Sequence, residues 1–382
     1  MIPEIRLRVR VQGRHPLFYR KMIRKPDRPL PAGGPVFVRD KNGRPVGTGF
    51  YNPRTELALR MLARESVPDV ESYLLRRLDD ACDLRDERLR LPEVTDGYRL
   101  LHAEGDGFPG LILDRLGDTI VAQVYALCAM RHMEAVGEHL LSRYPKSRLV
   151  LTVDTDAALR EGIDKQPQVK PRATLVTEHG ILFTVYPGTG HKTGFFADQR
   201  NSRQRVKWFA KGRRVLDLFC NSGGFAMAAA QGEAKKVVAV DLDEVAVQQT
   251  RENAKANKLK FQTEHGDAFD WLRDMDDGEY DLVVLDPPKW VRGKTELATG
   301  LDKYSDLNRL ALKKLPRGGI LVTNSCSGAV SPSRFHGILA EAAAKAGRDA
   351  RVLFAGGAGP DHPVALECPE TQYLETVILE VR

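Results

Sequence analysis

The sequence contains no apolar run approaching the roughly 18 residues that a membrane span requires, which argues against a membrane-embedded role. Its opening, Met1-Ile2-Pro3-Glu4-Ile5-Arg6, also lacks the apolar stretch of a signal peptide, so a cytosolic protein is the expectation. Cysteine is sparse and unpaired. The five residues Cys82, Cys128, Cys220, Cys326 and Cys368 form no CxxC motif and are odd in number, so neither a disulfide framework nor a metal site is expected. Each thiol is therefore a candidate core residue or nucleophile. Internal repeats and low-complexity tracts are missing as well.

What is present is an ordinary globular composition, 42% hydrophobic and 29% charged, spread over 382 residues. That length exceeds one hydrophobic core and suggests two or three domains. The net charge of +7 is unevenly placed: residues 1–64 hold 15 Lys and Arg against 4 Asp and Glu, a local +11 that leaves −4 for the rest. Such asymmetry points the N-terminal segment toward a polyanion, and nucleic acid is the usual one. A solvated basic face is the plainer alternative.

From Ile2 to about Leu62, short alternations (Leu7, Val9, Val11; Val36, Phe37, Val38) are broken by Pro31-Ala32-Gly33-Gly34-Pro35 and Asn42-Gly43, the pattern of a small β domain of hairpins. Val67 to Leu89 carries Val70, Tyr73, Leu74, Leu78 and Ala81 at helical spacing and reads as a connecting helix. Between Tyr98 and Leu182, strand patterns surround one amphipathic helix from about Met130 to Leu141, as in a second small α+β domain. After Arg213, strands alternate with helices: 214–219, 236–240, 261–265, 281–285, 319–324, 351–354 and 374–381. Helices between the first six imply βαβ units and a mostly parallel sheet, and the last two strands form an antiparallel edge hairpin.

Ligands of such sheets lie outside the carboxyl ends of the strands, so the strand-to-helix loops come first. The first loop, Asp217-Leu218-Phe219-Cys220-Asn221-Ser222-Gly223-Gly224-Phe225, has a Gly pair for a tight turn and close approach to a ligand. It does not match the GxGxxG fingerprint that a pyrophosphate favours. S-adenosylmethionine has no phosphate, and a carboxylate such as Asp217 suits its positive groups. The second strand ends in Asp241, 24 residues later, where a carboxylate can accept from ribose hydroxyls. The third ends in Gly266-Asp267-Ala268-Phe269, where an Asp can accept from an adenine amine and a Phe can pack on the ring. Any one of these acids alone is equally a helix N-cap. Three at successive strand ends resemble class I methyltransferases.

The fourth strand ends Asp286-Pro287-Pro288-Lys289-Trp290 and the fifth Thr323-Asn324-Ser325-Cys326-Ser327-Gly328. As sheet neighbours they should bring Asp286 and Cys326 to one cleft. Carbon 5 of a pyrimidine is a poor nucleophile, and addition of a thiolate to carbon 6 activates it, a task suited to Cys. Asp286 can supply the proton or hydrogen bond at N3 of cytosine if its pKa is raised. The carbonyls of Pro287 and Pro288 can receive the exocyclic amine, with Lys289 beside them on the substrate side. A buried packing role is the commoner fate of a free Cys, but the small polar neighbours of Cys326 make its position a polar turn. Cys220 is the weaker candidate, and Cys82, Cys128 and Cys368 read as structural.

Taken together, Pro187-Gly188-Thr189-Gly190-His191-Lys192-Thr193-Gly194-Phe195-Phe196-Ala197-Asp198-Gln199-Arg200, the 217–225 loop, Asp286-Pro287-Pro288-Lys289 and Ser325-Cys326-Ser327 resemble the bacterial 23S ribosomal RNA 5-methylcytosine methyltransferase family. Asp361-His362-Pro363 and Pro369-Glu370-Thr371 also look like that family, and the resemblance covers essentially the whole chain. It implies a PUA domain, an RNA-binding β-barrel, at 1–66, for which Gly47-Thr48-Gly49-Phe50-Tyr51-Asn52-Pro53 looks like the most recognisable strand and turn. It further implies a helical connector at 67–97, a central α+β domain at 98–185 and a Rossmann-like, seven-stranded α/β catalytic domain at 186–382. By the same resemblance the nucleophile is Cys326, the donor contacts are Gln199, Arg200, Asp217, Asp241, Asp267 and Asp286 together with Phe219, Gly223 and Gly224 of the first loop, and the partner is 23S ribosomal RNA. The sequence leaves the oligomeric state open, a homodimer included.

Two features depart from the pattern. The run Gly13-Arg14-His15-Pro16-Leu17-Phe18 follows the family's His-Pro-aromatic opening only loosely, and Pro288 or Lys289 stands where other RNA cytosine methyltransferases place a second Cys. Product release then needs a different base. Rival readings are methylation of a base amine, which needs no thiol, and a catalytically silent RNA-binding assembly protein.

Overall fold

In the computed structural model, which describes residues 2–164, 167–189 and 192–382, the N-terminal alternations become a five-stranded sheet. Its strands are Glu4–Arg6, Leu17–Phe18, Gly34–Arg39, Pro45–Tyr51 and Leu59–Ala63, with the first running parallel to the third and the other pairings antiparallel. Ile5, Leu7, Val36, Val38, Leu59 and Met61 fill its core. Gly47 sits at φ +134, and a Cβ there would lie 2.0 Å from the Ala63 carbonyl oxygen, so this crossing of two strands admits only glycine.

The helix Val70–Asp83, continued by a wider turn over Leu84–Arg88, is more than a connector. Val70, Leu74, Leu78, Ala81 and Cys82 are buried in one cluster with Tyr98, Leu100, Leu111, Leu113, Ile120 and Val124 of the next sheet. That sheet has four strands, Gly97–His102, Leu111–Leu116, Thr119–Val124 and Arg148–Val153, of which only the last two are parallel. The single helix expected over about 130–141 is two, Leu127–Arg131 and Met133–Arg143. They meet at His132, at φ −107 and ψ 5, whose ring packs against Phe50 at 5.9 Å.

Contacts divide the chain into two units, and the division differs from the expected segments. The first unit comprises 1–179, 185–197 and 360–371; the second comprises 180–184, 198–359 and 372–382. Residues 360–371, assigned above to the catalytic domain, thus belong with the first unit. The reason lies in buried polar contacts. The fully buried Arg85 donates to both oxygens of Asp106, at 2.7 and 2.8 Å, and to the carbonyl of Asp361 at 2.6 Å, and the Asp361 carboxylate accepts from the Arg99 amide at 3.1 Å. His15 and Cys368 both hydrogen-bond Glu370, so the three polar groups satisfy one another.

The second unit is built on a seven-stranded sheet: β1 Arg214–Leu218, β2 Lys236–Asp241, β3 Gln262–His265, β4 Leu282–Leu285, β5 Ile320–Ser325, β6 Ala350–Gly356 and β7 Glu375–Val381. The order is β3-β2-β1-β4-β5-β7-β6, parallel throughout the first five, with β7 antiparallel to both neighbours. All seven expected strands are present, and β6 is the edge. The helices are α1 Arg200–Ala210, α2 Gly224–Gln231, α3 Glu244–Ala256, α4 Ala268–Asp274, α5 Leu297–Lys314 and α6 Pro332–Lys345. Leu282, Val283, Val284 and Leu285 of β4 are all buried because helices cover both faces, which is why this strand reads as one apolar run. Strand order reverses at β1 and β4, which opens a crevice at their carboxyl ends. Among the described residues no helix is long and apolar enough to cross a membrane.

Candidate active site

The β1–α2 loop is held in a tightly specified conformation. Phe219, Asn221 and Gly223 have φ values of +64, +48 and +83, and for the two non-glycine residues this left-handed region costs about 1–2 kcal/mol each. The neighbouring helix α3 supports the loop: Thr250 Oγ1 donates to the Asn221 carbonyl at 2.7 Å and Asn253 Nδ2 to the Ser222 carbonyl at 3.1 Å. From the end of β2, Asp241 Oδ2 accepts the Asn221 amide at 2.8 Å, and its Oδ1 accepts the Asp243 amide at 3.0 Å. A Cβ on Gly223 would lie 2.7 Å from Thr250 Cγ2. Backbone strain retained by this many contacts is characteristic of a ligand-clamping loop.

The three acids at the strand ends occupy distinct environments. Asp217 is fully buried; its Oδ2 accepts the Ala226 amide at 2.8 Å, and its Oδ1 has no hydrogen-bond partner among the described residues. Burial pushes its carboxyl well above the usual carboxylate range, and the charges of Asp286 and Asp241 add to that rise. Asp267 caps α4, its Oδ1 accepting the amides of Phe269 and Asp270 at 2.8 and 3.2 Å. For Asp241 the cap belongs instead to its neighbour Asp243, which accepts the Val245 amide at 2.9 Å at the start of α3.

Gln199, at the entry to α1, reaches the end of β4, where its Nε2 donates to Asp286 Oδ1 at 3.0 Å. Asn324, near the end of β5, donates its Nδ2 to the same oxygen at 3.0 Å. The two amides thus share one oxygen of the Asp286 carboxyl as acceptor. Arg200, next to Gln199, is also buried. Cys326 Sγ lies 3.7 Å from the Pro287 carbonyl oxygen, so the expected meeting of the fourth and fifth strand ends is observed. Pro287 is buried, whereas Pro288 and Lys289 are exposed. Cys326 is half-buried, while the other four cysteines are buried. Burial also raises the thiol of Cys220 well above its ordinary value, which disfavours the thiolate there. Phe219 and Phe269 each lie 6.1 Å from the Trp290 ring, forming an aromatic wall of residues from two loops and the first turn of α4.

Sequence reasoning missed Asn324, Trp290 as part of that wall, and Tyr304. The polar run from Thr323 to Ser327 closing an apolar strand was a signal for Asn324, whereas Tyr304 gave none. Gly190 and His191 of the His-Lys-Thr-Gly run lie outside the described residues.

A protein-family model described as an S-adenosylmethionine-dependent methyltransferase matches residues 168–353, and a PUA-like domain model matches residues 7–64. The ribosomal RNA large subunit methyltransferase I of Aeromonas salmonicida is 35% identical over 381 residues, covering 97% of this chain and 96% of that protein. The chain belongs to the ribosomal RNA large subunit methyltransferase I family. The relative of the same description from Tolumonas auensis is 36% identical over 378 residues, covering 96% of this chain and 95% of its own. In fold, this family member superposes on SMU.776, solved in complex with SAH, with a TM-score of 0.82 over 100% of both chains at 21% identity.

The residues present fit S-adenosylmethionine, the cofactor of this family. Buried acceptors without a partner among the described residues gather at this crevice, namely Asp217 Oδ1, Gln199 Oε1 and Asn324 Oδ1, and a cationic donor group would satisfy them. Replacing Asp241 by Ala removes an acceptor and frees the Asn221 amide. The expected outcome is a loss of at least about tenfold in S-adenosylmethionine affinity, from roughly 1.5–3 kcal/mol for a hydrogen bond to a charged group. Titration calorimetry measures it, and unchanged binding would contradict this placement of the donor.

Proposed function

We propose that this family member methylates carbon 5 of a cytosine in large-subunit ribosomal RNA through a covalent adduct of Cys326. The observation that carries this reading is the thiol beside the Asp286-Pro287 loop, 3.7 Å from the Pro287 carbonyl. Sγ, as thiolate, adds to carbon 6, and the π pair moves to carbon 5 while Asp286 provides a proton at N3. The carbonyls of Pro287 and Pro288 receive the exocyclic amine, which selects cytosine, and Lys289 lies on the substrate side of the same loop. When bound, S-adenosylmethionine supplies an electrophilic methyl group. Once carbon 5 carries the methyl group, its proton passes to solvent water, Sγ leaves carbon 6 as thiolate, and N3 returns its proton to the Asp286 carboxylate, which restores the ring.

The relatives' description names large-subunit ribosomal RNA, and the local +11 of residues 1–64, within which the PUA-like match falls, suits a polyanionic substrate. Gln199, Arg200, Asp217, Asp241 and Asp267, with Phe219, Gly223 and Gly224, form the donor side of this reading. Incubating the protein with S-adenosylmethionine and unmodified large-subunit RNA, then digesting to nucleosides, should yield 5-methylcytidine by mass spectrometry. N4-methylcytidine or a methylated adenosine would overturn the reading in favour of amine methylation.

A further inference from the structure

Tyr304 is fully buried on α5, and its hydroxyl would be costly to bury without partners. Its ring stands in an aromatic column between Trp290, at 4.9 Å, and Phe335, at 5.6 Å. The hydroxyl meets Ser327 Oγ at 3.1 Å, and Ser327 Oγ also accepts the Val291 amide at 3.2 Å. One serine hydroxyl therefore bridges the loop that follows Asp286 to the loop that carries Cys326, and Tyr304 holds that bridge from below. Ser325, on the other side of Cys326, is close enough to influence the same phenol, although among the described residues its Oγ has no partner of hydrogen-bonding geometry.

Helix α5 approaches these loops because Gly300 has no side chain. A Cβ there would lie 2.4 Å from Val291 Cγ2 and 2.9 Å from the Trp290 carbonyl. Gly300 and Tyr304 are four residues apart and so share one helix face. The close approach at the first sets the reach of the second.

We propose that Tyr304 is a positioning residue whose hydroxyl, through Ser327, fixes Cys326 against the Asp286-Pro287-Pro288 loop. This rests on the reading of Cys326 as nucleophile. Chemistry that needs Sγ over carbon 6 and a carboxyl at N3 of the same base depends on the separation of the two loops. A displacement of about 1 Å can cost on the order of a hundredfold in rate. Tyr304→Phe keeps the aromatic column and removes only the anchoring oxygen.

The test compares wild type, Tyr304→Phe, Ser327→Ala and the double variant. Each is assayed for single-turnover methyl transfer, KM for RNA, S-adenosylmethionine affinity, and accumulation of adduct on RNA carrying 5-azacytidine. Tyr304→Phe should lose about ten- to a hundredfold in turnover and in the rate of adduct formation, with KM and donor affinity unchanged, a split that general loss of structure would not give. Ser327→Ala should match it, and the double variant should be no worse than the poorer single one, because both act through one bridge. If wild type forms the Cys326 adduct and both single variants keep wild-type rates, the positioning role is overturned while the thiol reading stands. If wild type forms no adduct and Cys326→Ser stays active, both fall. Should Tyr304→Phe fold poorly, Ser327→Ala decides, and a wild-type rate for it overturns the proposal.

Discussion

Cys326→Ser is expected to lower methyl transfer by at least about a thousandfold, since loss of a covalent nucleophile removes the pathway and not merely a contact. Serine keeps the size of the side chain and can still face the Pro287 carbonyl, so the fold and S-adenosylmethionine binding should survive. On RNA carrying 5-azacytidine at the target, the wild-type protein should accumulate as a denaturant-resistant adduct, because elimination after methyl transfer is blocked. Peptide mass spectrometry should place the linkage on Cys326. Retention of near wild-type transfer by Cys326→Ser, with no wild-type adduct, would transfer the case to amine methylation. Cys220 offers no substitute thiol, being buried in the donor loop with its thiolate disfavoured.

Asp286→Ala should cost about a hundred- to ten-thousandfold in turnover, the range of a positioned general acid. It would also leave the Gln199 and Asn324 amides without their shared acceptor, so some loss of donor affinity should accompany it. Asp286→Asn separates the two effects. An amide can still donate toward N3 and present an oxygen to Gln199 and Asn324, so it should recover donor binding more fully than turnover. Measured kcat and donor dissociation constants for the pair decide the matter, and equal turnover of Asp286→Asn and wild type would remove Asp286 from the proton step.

Much of this architecture could be read from the chain because its causes are local. Strands buried on both faces, such as β4, appear as continuous apolar runs, and acids that follow them mark the loops of the crevice. The proximity of Asp286 and Cys326 followed from β4 and β5 being neighbours. Contacts set by side chains from distant segments were not legible. Asp267 could be an acceptor for the adenine amine or a cap, and the structure shows the cap without removing the other role. Nothing in the spacing linked Tyr304 to Ser327, because that contact depends on how closely α5 approaches Val291, which Gly300 sets. Likewise the turn at His132 follows from packing against Phe50, some eighty residues away, and has no breaker residue to announce it.

The membership of 360–371 in the first unit has a consequence for the order in which the protein can mature. On the ribosome, domains ordinarily close from the N-terminus as they emerge. Here the buried guanidinium of Arg85 and the amide of Arg99 wait for Asp361, more than 250 residues downstream. Until that segment is made, the Arg85 guanidinium and the Arg99 amide lack these two partners, so the final consolidation of the first unit follows synthesis of nearly the entire second unit.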